Sequence, residues 1–207
     1  MLKLLGRSSS INVRKVLWTC AELALAPVHE GGGETSPVGA ALDIRALNVK
    51  GLVPVLIDGD LVLSESNTIC RYLAAREKRF DLLPEAPAAR ALVESWMDWQ
   101  ASDLNPAWRG VFMGRVRRHP DFADSALQEA SIRDWTAQMR ILDAQLTSTG
   151  AYVAGESFTL ADIVLALSTN RWEQTPMERP GLPAIAAWMD RLSSRPGFAE
   201  YCRNGIA

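Results

Sequence analysis

Three consecutive serines and an asparagine lie where an apolar run gives way to a helical pattern. Leu2–Leu5 is a short apolar run ended by glycine, which predicts a strand. Residues 7–13, RSSSINV, lead from it into the first helix. Ligand sites of α/β folds lie at this kind of position, where unpaired helix-terminal amides favour an anion. One of the serines, or Asn12, could equally cap the helix, and the two roles can coexist.

A second polar pair, Glu65 and Ser66, directly follows the clearest hairpin pattern of the chain and opens another helix. The pair places a carboxylate and a hydroxyl at a helix N-terminus. Capping by Ser66 and a favourable interaction of Glu65 with the helix dipole are the alternative explanations. The hairpin begins with Val53-Pro54, and a proline without an N–H belongs at a strand start or an edge.

The elements that position these residues occupy roughly the first 80 positions in the predicted order βαβαββα. A helical repeat of apolar residues follows the first strand and ends before Pro27. A weak strand at 27–29, a short helix over 40–47 and a hairpin come next. The hairpin has strands at 53–57 and 61–63, and its Asp58-Gly59 pair is predicted to supply the positive φ angles of the turn. The last helix begins around Ser66.

The remainder of the chain carries no convincing strand pattern. A long helix is expected from about residue 92 to a bend at Asn105-Pro106, followed by helices over about 123–146, from Thr159, and over about 183–192. Thr159 and Asp162 fit a capping box. We predict two domains, 1–80 and 87–207, joined by a proline-bearing linker at 81–86.

Composition excludes several classes of protein. The 207 residues include 48% hydrophobic and 22% charged residues, which is typical of a globular protein. The net charge of −2 gives no electrostatic reason to expect nucleic acid or an anionic membrane as partner. Three widely spaced cysteines and two histidines favour neither a disulfide framework nor a metal site. Without a secretory signal pattern, a cytosolic protein is expected.

In combination, these segments resemble a cytosolic glutathione transferase over the full chain. GRSSSINVRKVLW, GLVPVLIDGDLVLSESNTICRYLA and the FTLAD box are most similar to the serine-type bacterial branch, near the theta class. The resemblance implies a thioredoxin-like N-terminal domain of α/β class that binds glutathione, and an all-helical C-terminal domain. It implies no metal.

The resemblance also implies how glutathione is bound. The family has a cis Val-Pro bond, so that the backbone of Val53, next to Pro54, pairs with the cysteinyl part of glutathione as an added strand. Glu65 and Ser66 match the pair that holds the γ-glutamyl end, a carboxylate for the ammonium and a hydroxyl with helix-terminal amides for the carboxylate. Lys50 is a contact for the glycyl carboxylate, although the family often has its basic residue directly before Val-Pro. A solvated loop charge is the alternative for Lys50.

Ser10 is the first choice among the serines for the catalytic hydroxyl. It lies four residues before Arg14, the spacing of the theta-like Ser-x-x-x-Arg pattern. Ser9 is the alternative, and Asn12 could assist. The hydroxyl would donate to the glutathione sulfur and favour thiolate over thiol.

The electrophile would meet the thiolate in a pocket lined by Trp108, Arg109 and Phe112, for which core packing or surface exposure is the alternative. The family resemblance further implies a homodimer, with Asp98 or Asp103 contacting glutathione across the interface. Two other functions remain open. One is a glutathione-dependent peroxidase or disulfide reductase, and the other is a non-catalytic binding module of the same fold.

Overall fold

A four-stranded sheet forms the N-terminal part of the computed structural model, which describes residues 1–31 and 44–207. Its strands are β1 (Leu2–Leu5), β2 (Val28–Glu30), β3 (Val55–Asp58) and β4 (Leu61–Ser64). They lie in the order β2-β1-β3-β4. β1 pairs parallel with β2 and antiparallel with β3, and β3 with β4 forms the hairpin. The two central strands carry the buried residues of the sheet, which explains their apolar sequences.

Three helices accompany the sheet among the described residues: α1 (Ile11–Glu22), α2 (Ile44–Leu47) and α3 (Ser66–Arg76). The element order therefore matches the predicted βαβαββα. The first half of the predicted helix at 40–47 lies outside the described residues. α1 contributes some of the largest buried side chains, namely Trp18, Arg14 and Lys15.

The C-terminal part is helical. Chain geometry stays helical from α4 (Pro87–Trp99) through α5 (Asn105–Val111), with wider π turns at Gln100–Leu104 and Phe112–Val116. Three more helices follow, and their bounds are α6 (Ser125–Thr149), α7 (Leu160–Gln174) and α8 (Pro183–Leu192), before a final π turn at Phe198–Cys202. At the bend expected at Asn105-Pro106, a π turn over Gln100–Leu104 directly precedes α5, and the chain continues as a helix beyond the proline. Such a turn fits a proline, which has no N–H to donate.

The hairpin differs from its prediction in one respect. Asp58 is the last residue of β3 and pairs with Leu61, so the connecting residues are Gly59 and Asp60. Gly59 has a φ of 60°, whereas Asp58 is not in the positive-φ region. Asp58 instead accepts a hydrogen bond from Tyr72 Oη at 2.8 Å and pairs with Arg76. Its tertiary partners on α3 hold it in the strand.

α7 is the most deeply buried helix of the C-terminal part. The predicted capping box is present, because Asp162 accepts hydrogen bonds from the backbone N of Thr159 at 2.8 Å and from its Oγ1 at 3.1 Å. Thr159 and Asp162 are both buried. None of the described helices combines the length and the apolar character that crossing a bilayer requires.

Candidate active site

The predicted catalytic serines lie at the junction of β1 and α1. Ser10 is the N-cap residue of α1, yet its hydroxyl makes no capping hydrogen bond. Ser9 and Ser10 are both half-buried, and neither hydroxyl has a partner among the described residues. Capping therefore does not use the Ser10 hydroxyl. Both hydroxyls remain available beside the unpaired amides of a helix start.

Gly6 allows this junction to approach Val53. Its φ is 138°, and a Cβ at this position would lie 2.6 Å from Val13 Cγ2 and 2.9 Å from Val53 Cβ. Any other residue would collide with both neighbours and be strained in its backbone. Glycine is thus required for the start of α1 and the segment before β3 to meet.

Val53 precedes β3 and is joined to Pro54 by a cis peptide bond. No described residue forms a hydrogen bond with the backbone N–H or C=O of Val53. Val53 is half-buried and Pro54 is buried. Unpaired groups at the entrance of a strand can hydrogen-bond an added extended peptide.

Glu65 and Ser66 lie at the start of α3, on the far side of the hairpin. Glu65 has a φ of 71°, an unusual backbone conformation for a residue other than glycine. The Ser66 side chain makes no capping bond and has no other partner among the described residues. Lys50 forms an ion pair with Glu65. The structure therefore brings together three of the five predicted glutathione-binding residues, with opposite charges already paired at the surface.

A cavity of about 230 Å³ opens between α1, the start of α3 and the long helix of the C-terminal part. Asn12, Glu65 and Ser66 line it, together with Asp98 and with residues for which the sequence analysis predicted no contact. The other lining residues are Lys15, Asn67, Thr68, Arg71, Asp98, Ala101 and Asn105. A larger cavity of about 540 Å³ is lined by Ser8, Arg14 and the C-terminal segment and contains neither Glu65 nor Ser66.

The ammonium of Lys15 lies at the back of the smaller cavity, and no carboxylate among the described residues forms an ion pair with it. It donates to Gln100 Oε1 at 2.7 Å and to Asn67 Oδ1 at 3.2 Å, and the residue is 1% exposed. Burial lowers the pKa of Lys15 to about 7. Gln100 in turn donates to Asn105 Oδ1 at 2.7 Å, which also accepts from Trp108 Nε1 at 3.1 Å. One chain of hydrogen bonds thus joins the start of α3 to Trp108.

Two of the three predicted pocket residues lie together. The rings of Trp108 and Phe112 are 5.2 Å apart, and the guanidinium of Arg171 lies over both, 4.5 Å and 4.2 Å from their centroids. Arg109 is exposed, lies over the ring of Phe122 at 5.7 Å and faces α6. The structure therefore does not bring Arg109 to the other two, because successive helical residues point about 100° apart.

The two predicted cross-dimer residues are both exposed. Asp98 pairs with Arg71 at the rim of the smaller cavity. Asp103 accepts a hydrogen bond from Ser102 Oγ at 2.6 Å. Asp98 is thus the one of the two that lies beside the candidate site.

Comparisons with known proteins agree with this arrangement. Residues 4–80 match the model of the glutathione S-transferase N-terminal domain, and residues 111–196 that of the C-terminal domain. The chain is 37% identical to Glutathione S-transferase GstB of Escherichia coli over 97% of both proteins, and 35% identical to Glutathione S-transferase 3 of Zea mays over 96% of this chain and 92% of the other. It also superposes on a solved theta class glutathione S-transferase from Xanthomonas axonopodis pv. citri, with glutathione bound. The TM-score is 0.87 and the identity 38%, over 97% of this chain and 96% of the other.

This chain belongs to the glutathione S-transferase family. The matches confirm the predicted fold class and the predicted glutathione transferase function. The match to the N-terminal model spans the three serines and Asn12 as well as Glu65 and Ser66. The individual site residues, and the domain boundaries at 80 and 87, stay predictions.

Sequence reasoning missed the buried polar groups of the site, which are Lys15, Asn67, Gln100 and Arg171. A signal existed for Lys15, because it stands within an apolar helical pattern that should be buried. Gln100 and Arg171 carried no such signal. Their partners are distant in sequence, 85 positions in the case of Gln100 and Lys15.

Proposed function

We propose that this glutathione transferase uses Ser10 to stabilise the thiolate of glutathione, which then attacks small hydrophobic electrophiles. The observation that carries the proposal is the unpartnered Ser10 hydroxyl at the start of α1. The Xanthomonas relative, described as having glutathione bound, supports glutathione as the ligand. Ser10 is proposed ahead of Ser9, whose hydroxyl is equally without a partner among the described residues, because Ser10 has the Ser-x-x-x-Arg spacing of the family pattern.

Glutathione is proposed to lie along Val53 and the start of α3. Its cysteinyl part would pair with the free N–H and C=O of Val53. Its γ-glutamyl carboxylate would accept from the Ser66 hydroxyl and the first amides of α3, and its ammonium would bind Glu65. Lys50 now pairs with Glu65, so an incoming ammonium would release it toward the glycyl carboxylate.

The proposed role of Ser10 is to lower the pKa of the bound thiol. A thiol with a pKa of about 8.5 is only a few per cent ionised at neutral pH. Lowering this value by about 2 requires about 2.7 kcal/mol of preferential stabilisation of the thiolate. One hydrogen bond to a charged acceptor contributes about 1.5–3 kcal/mol, and the helix start adds a smaller amount. The requirement is therefore met by groups present at the junction.

Ser10→Ala tests the assignment. We expect kcat/KM with 1-chloro-2,4-dinitrobenzene to fall by about 10- to 100-fold, because one charge-assisted hydrogen bond is lost. Glutathione affinity measured by calorimetry should change by less than threefold, since the other contacts persist. Ser9→Ala is the matched control and should retain activity. Loss of activity in Ser9→Ala with an active Ser10→Ala would move the role to Ser9.

The alternative functions are less well supported. Cys20, Cys70 and Cys202 are all buried, and burial raises the pKa of Cys20 to about 12 and that of Cys70 to about 11, which argues against a reductase that uses a protein thiolate. A peroxidase or reductase would then depend on the thiolate of glutathione alone. Activity on a hydroperoxide or a mixed disulfide above that on the aryl halide would favour the peroxidase or reductase. Absence of glutathione binding at millimolar concentration would favour the non-catalytic module.

The pocket, quaternary structure and location complete the proposal. Trp108 and Phe112 provide the aromatic wall for the electrophile, and Arg109 is not part of it. We further propose a cytoplasmic homodimer in which Asp98 or Asp103 lies near the partner's glutathione, as the family resemblance implies. Light scattering, and loss of glutathione affinity in Asp98→Asn, would test the dimer contact.

A further inference from the structure

The guanidinium of Arg171 is buried in the helical part, and the described residues place no anion beside it. The residue is 4% exposed, its Nε is buried with no hydrogen-bond partner, and no described residue accepts a hydrogen bond from Nη1 or Nη2. No carboxylate among the described residues forms an ion pair with it. Arginine is seldom fully buried unless it is paired.

The neighbours of Arg171 add positive charge instead of balancing it. Arg14 on α1 and Arg117 at the end of the π turn both lie near enough to disfavour its charged form, and burial acts in the same direction. Together these effects lower the pKa of Arg171 to about 9. Arg14 is also buried, and it donates to backbone oxygens of the C-terminal segment and to Asn204 Oδ1, so no carboxylate side chain among the described residues pairs with it.

The rings of Trp108 and Phe112 compensate for this charge only in part. Arg171 lies over both faces, which is a favourable cation–π geometry. The guanidinium nevertheless keeps all five of its N–H donors unused by protein acceptors among the described residues. Its planar fork matches a carboxylate in shape as well as charge. A bound oxyanion would therefore both balance the charge of Arg171 and accept hydrogen bonds from its N–H groups.

We infer that the acceptor site takes electrophiles carrying a carboxylate or similar oxyanion, which Arg171 binds while Trp108 and Phe112 contact the apolar part. The inference rests on the proposed function and narrows its substrate class from hydrophobic to acidic electrophiles. In the reaction that tests this inference, the substrate is a benzylic chloride, and the glutathione sulfur forms a bond to its benzylic carbon. Chloride leaves with the electron pair of the broken C–Cl bond, and the thiol proton passes to solvent.

The test compares 4-(chloromethyl)benzoate with its methyl ester, which is neutral and presents the same benzylic carbon. Each kcat/KM is divided by the rate of the uncatalysed reaction with glutathione to remove differences in intrinsic reactivity. We expect the wild-type enzyme to favour the acid by about tenfold or more, because hydrogen bonds between charged groups are worth that factor. A ratio within twofold of unity would overturn the inference, and this measurement needs no variant.

Arg171→Met should lower the normalised kcat/KM for the acid by about 10- to 100-fold and that for the ester by less than twofold. Arg133→Met is the matched control, since Arg133 is exposed on α6, and it should change neither. An equal loss for both substrates in a folded Arg171→Met protein would show a packing role and overturn the inference.

Failure of the proposed function would look different. If the wild type turns over neither the acid, nor its methyl ester, nor 1-chloro-2,4-dinitrobenzene, the proposed function itself fails. Turnover of the ester and the dinitrobenzene without preference for the acid removes the inference alone.

Discussion

Lys15 is a cation enclosed by neutral groups. Its two acceptors are amide oxygens, and the only carboxylate among the described residues that favours its charged form is Glu65, whose side chain is 61% exposed. Without a buried carboxylate, the charged form is costly, and the pKa of Lys15 falls to about 7. The proton of this single residue therefore links pH to the stability of the junction between the two parts of the chain.

The free energy of unfolding should reflect this linkage. In the unfolded chain, Lys15 keeps its proton up to a pKa of about 10.4, whereas the folded chain releases it near 7. The unfolded state thus binds more protons between these values, and stability rises with pH in this window. Relative to Lys15→Met, the wild type should gain about 2 kcal/mol between pH 7 and pH 9 in urea unfolding.

Lys78→Met serves as the control for Lys15, because it also removes one lysine and Lys78 is exposed. The difference in free energy of unfolding between Lys78→Met and the wild type should be the same at pH 7 and pH 9. If the Lys15→Met difference were also constant, Lys15 would keep its proton throughout.

At the scale of elements, the start of α7 depends on one carboxylate. Asp162 accepts hydrogen bonds from the backbone N of Thr159, the backbone N of Val153 at 2.9 Å and Trp188 Nε1 at 3.0 Å. These donors favour the ionised form, whereas burial opposes it and raises the pKa of Asp162 to about 6. The carboxylate fastens α7 both to the loop before it and to α8.

Asp162→Asn should destabilise the protein by about 2–4 kcal/mol, because an amide nitrogen would face a buried N–H donor and leave it unsatisfied. Urea unfolding at pH 7.5 measures the loss. Asp190→Asn is the control, as Asp190 is exposed on α8, and it should cost about 0.5 kcal/mol or less. Equal stability of the two variants would contradict the proposed role of the buried carboxylate.

Across the whole molecule, α1 is joined to the end of the chain through Arg14. Its Nη1 donates to Ile206 O at 3.0 Å and to Asn204 Oδ1 at 3.2 Å, and its Nη2 donates to Ala207 O at 3.3 Å. The residue that the sequence pattern associated with Ser10 thus binds the C-terminal segment. It connects the element bearing the catalytic candidate to residues almost 200 positions away.

Arg14→Met should release this segment. We expect amide hydrogen exchange in residues 201–207 to accelerate by about tenfold or more, since local opening loses several hydrogen bonds to a charged donor. Exchange in β1 and β3 should be unaffected if the opening is local. Arg133→Met should leave both regions unchanged, and unaltered exchange of the segment in Arg14→Met would contradict the role.

The sequence by itself determined the elements and the polar residues at their starts. Ser10 before α1, Glu65 and Ser66 before α3 and the Thr159–Asp162 box are local patterns, because capping and strand entry depend on residues within one turn. The position of the hairpin was predicted correctly, but Asp58 was wrongly assigned to its turn. Asp58 is the last residue of β3, because Tyr72 and Arg76 on α3 hold its side chain.

Only the tertiary structure decided which polar groups share the site. Lys15 donates a hydrogen bond to Gln100, which is 85 positions away in sequence. Arg171 lies over Trp108 and Phe112, which are 63 and 59 positions away from it. No sequence period relates such residues, so neither their contact nor the absence of a counter-ion can be read from spacing. Whether a buried charge is paired depends on the elements packed around it. The charge of Arg171, unpaired among the described residues, is such a property, and the inference that the enzyme prefers acidic electrophiles rests on it.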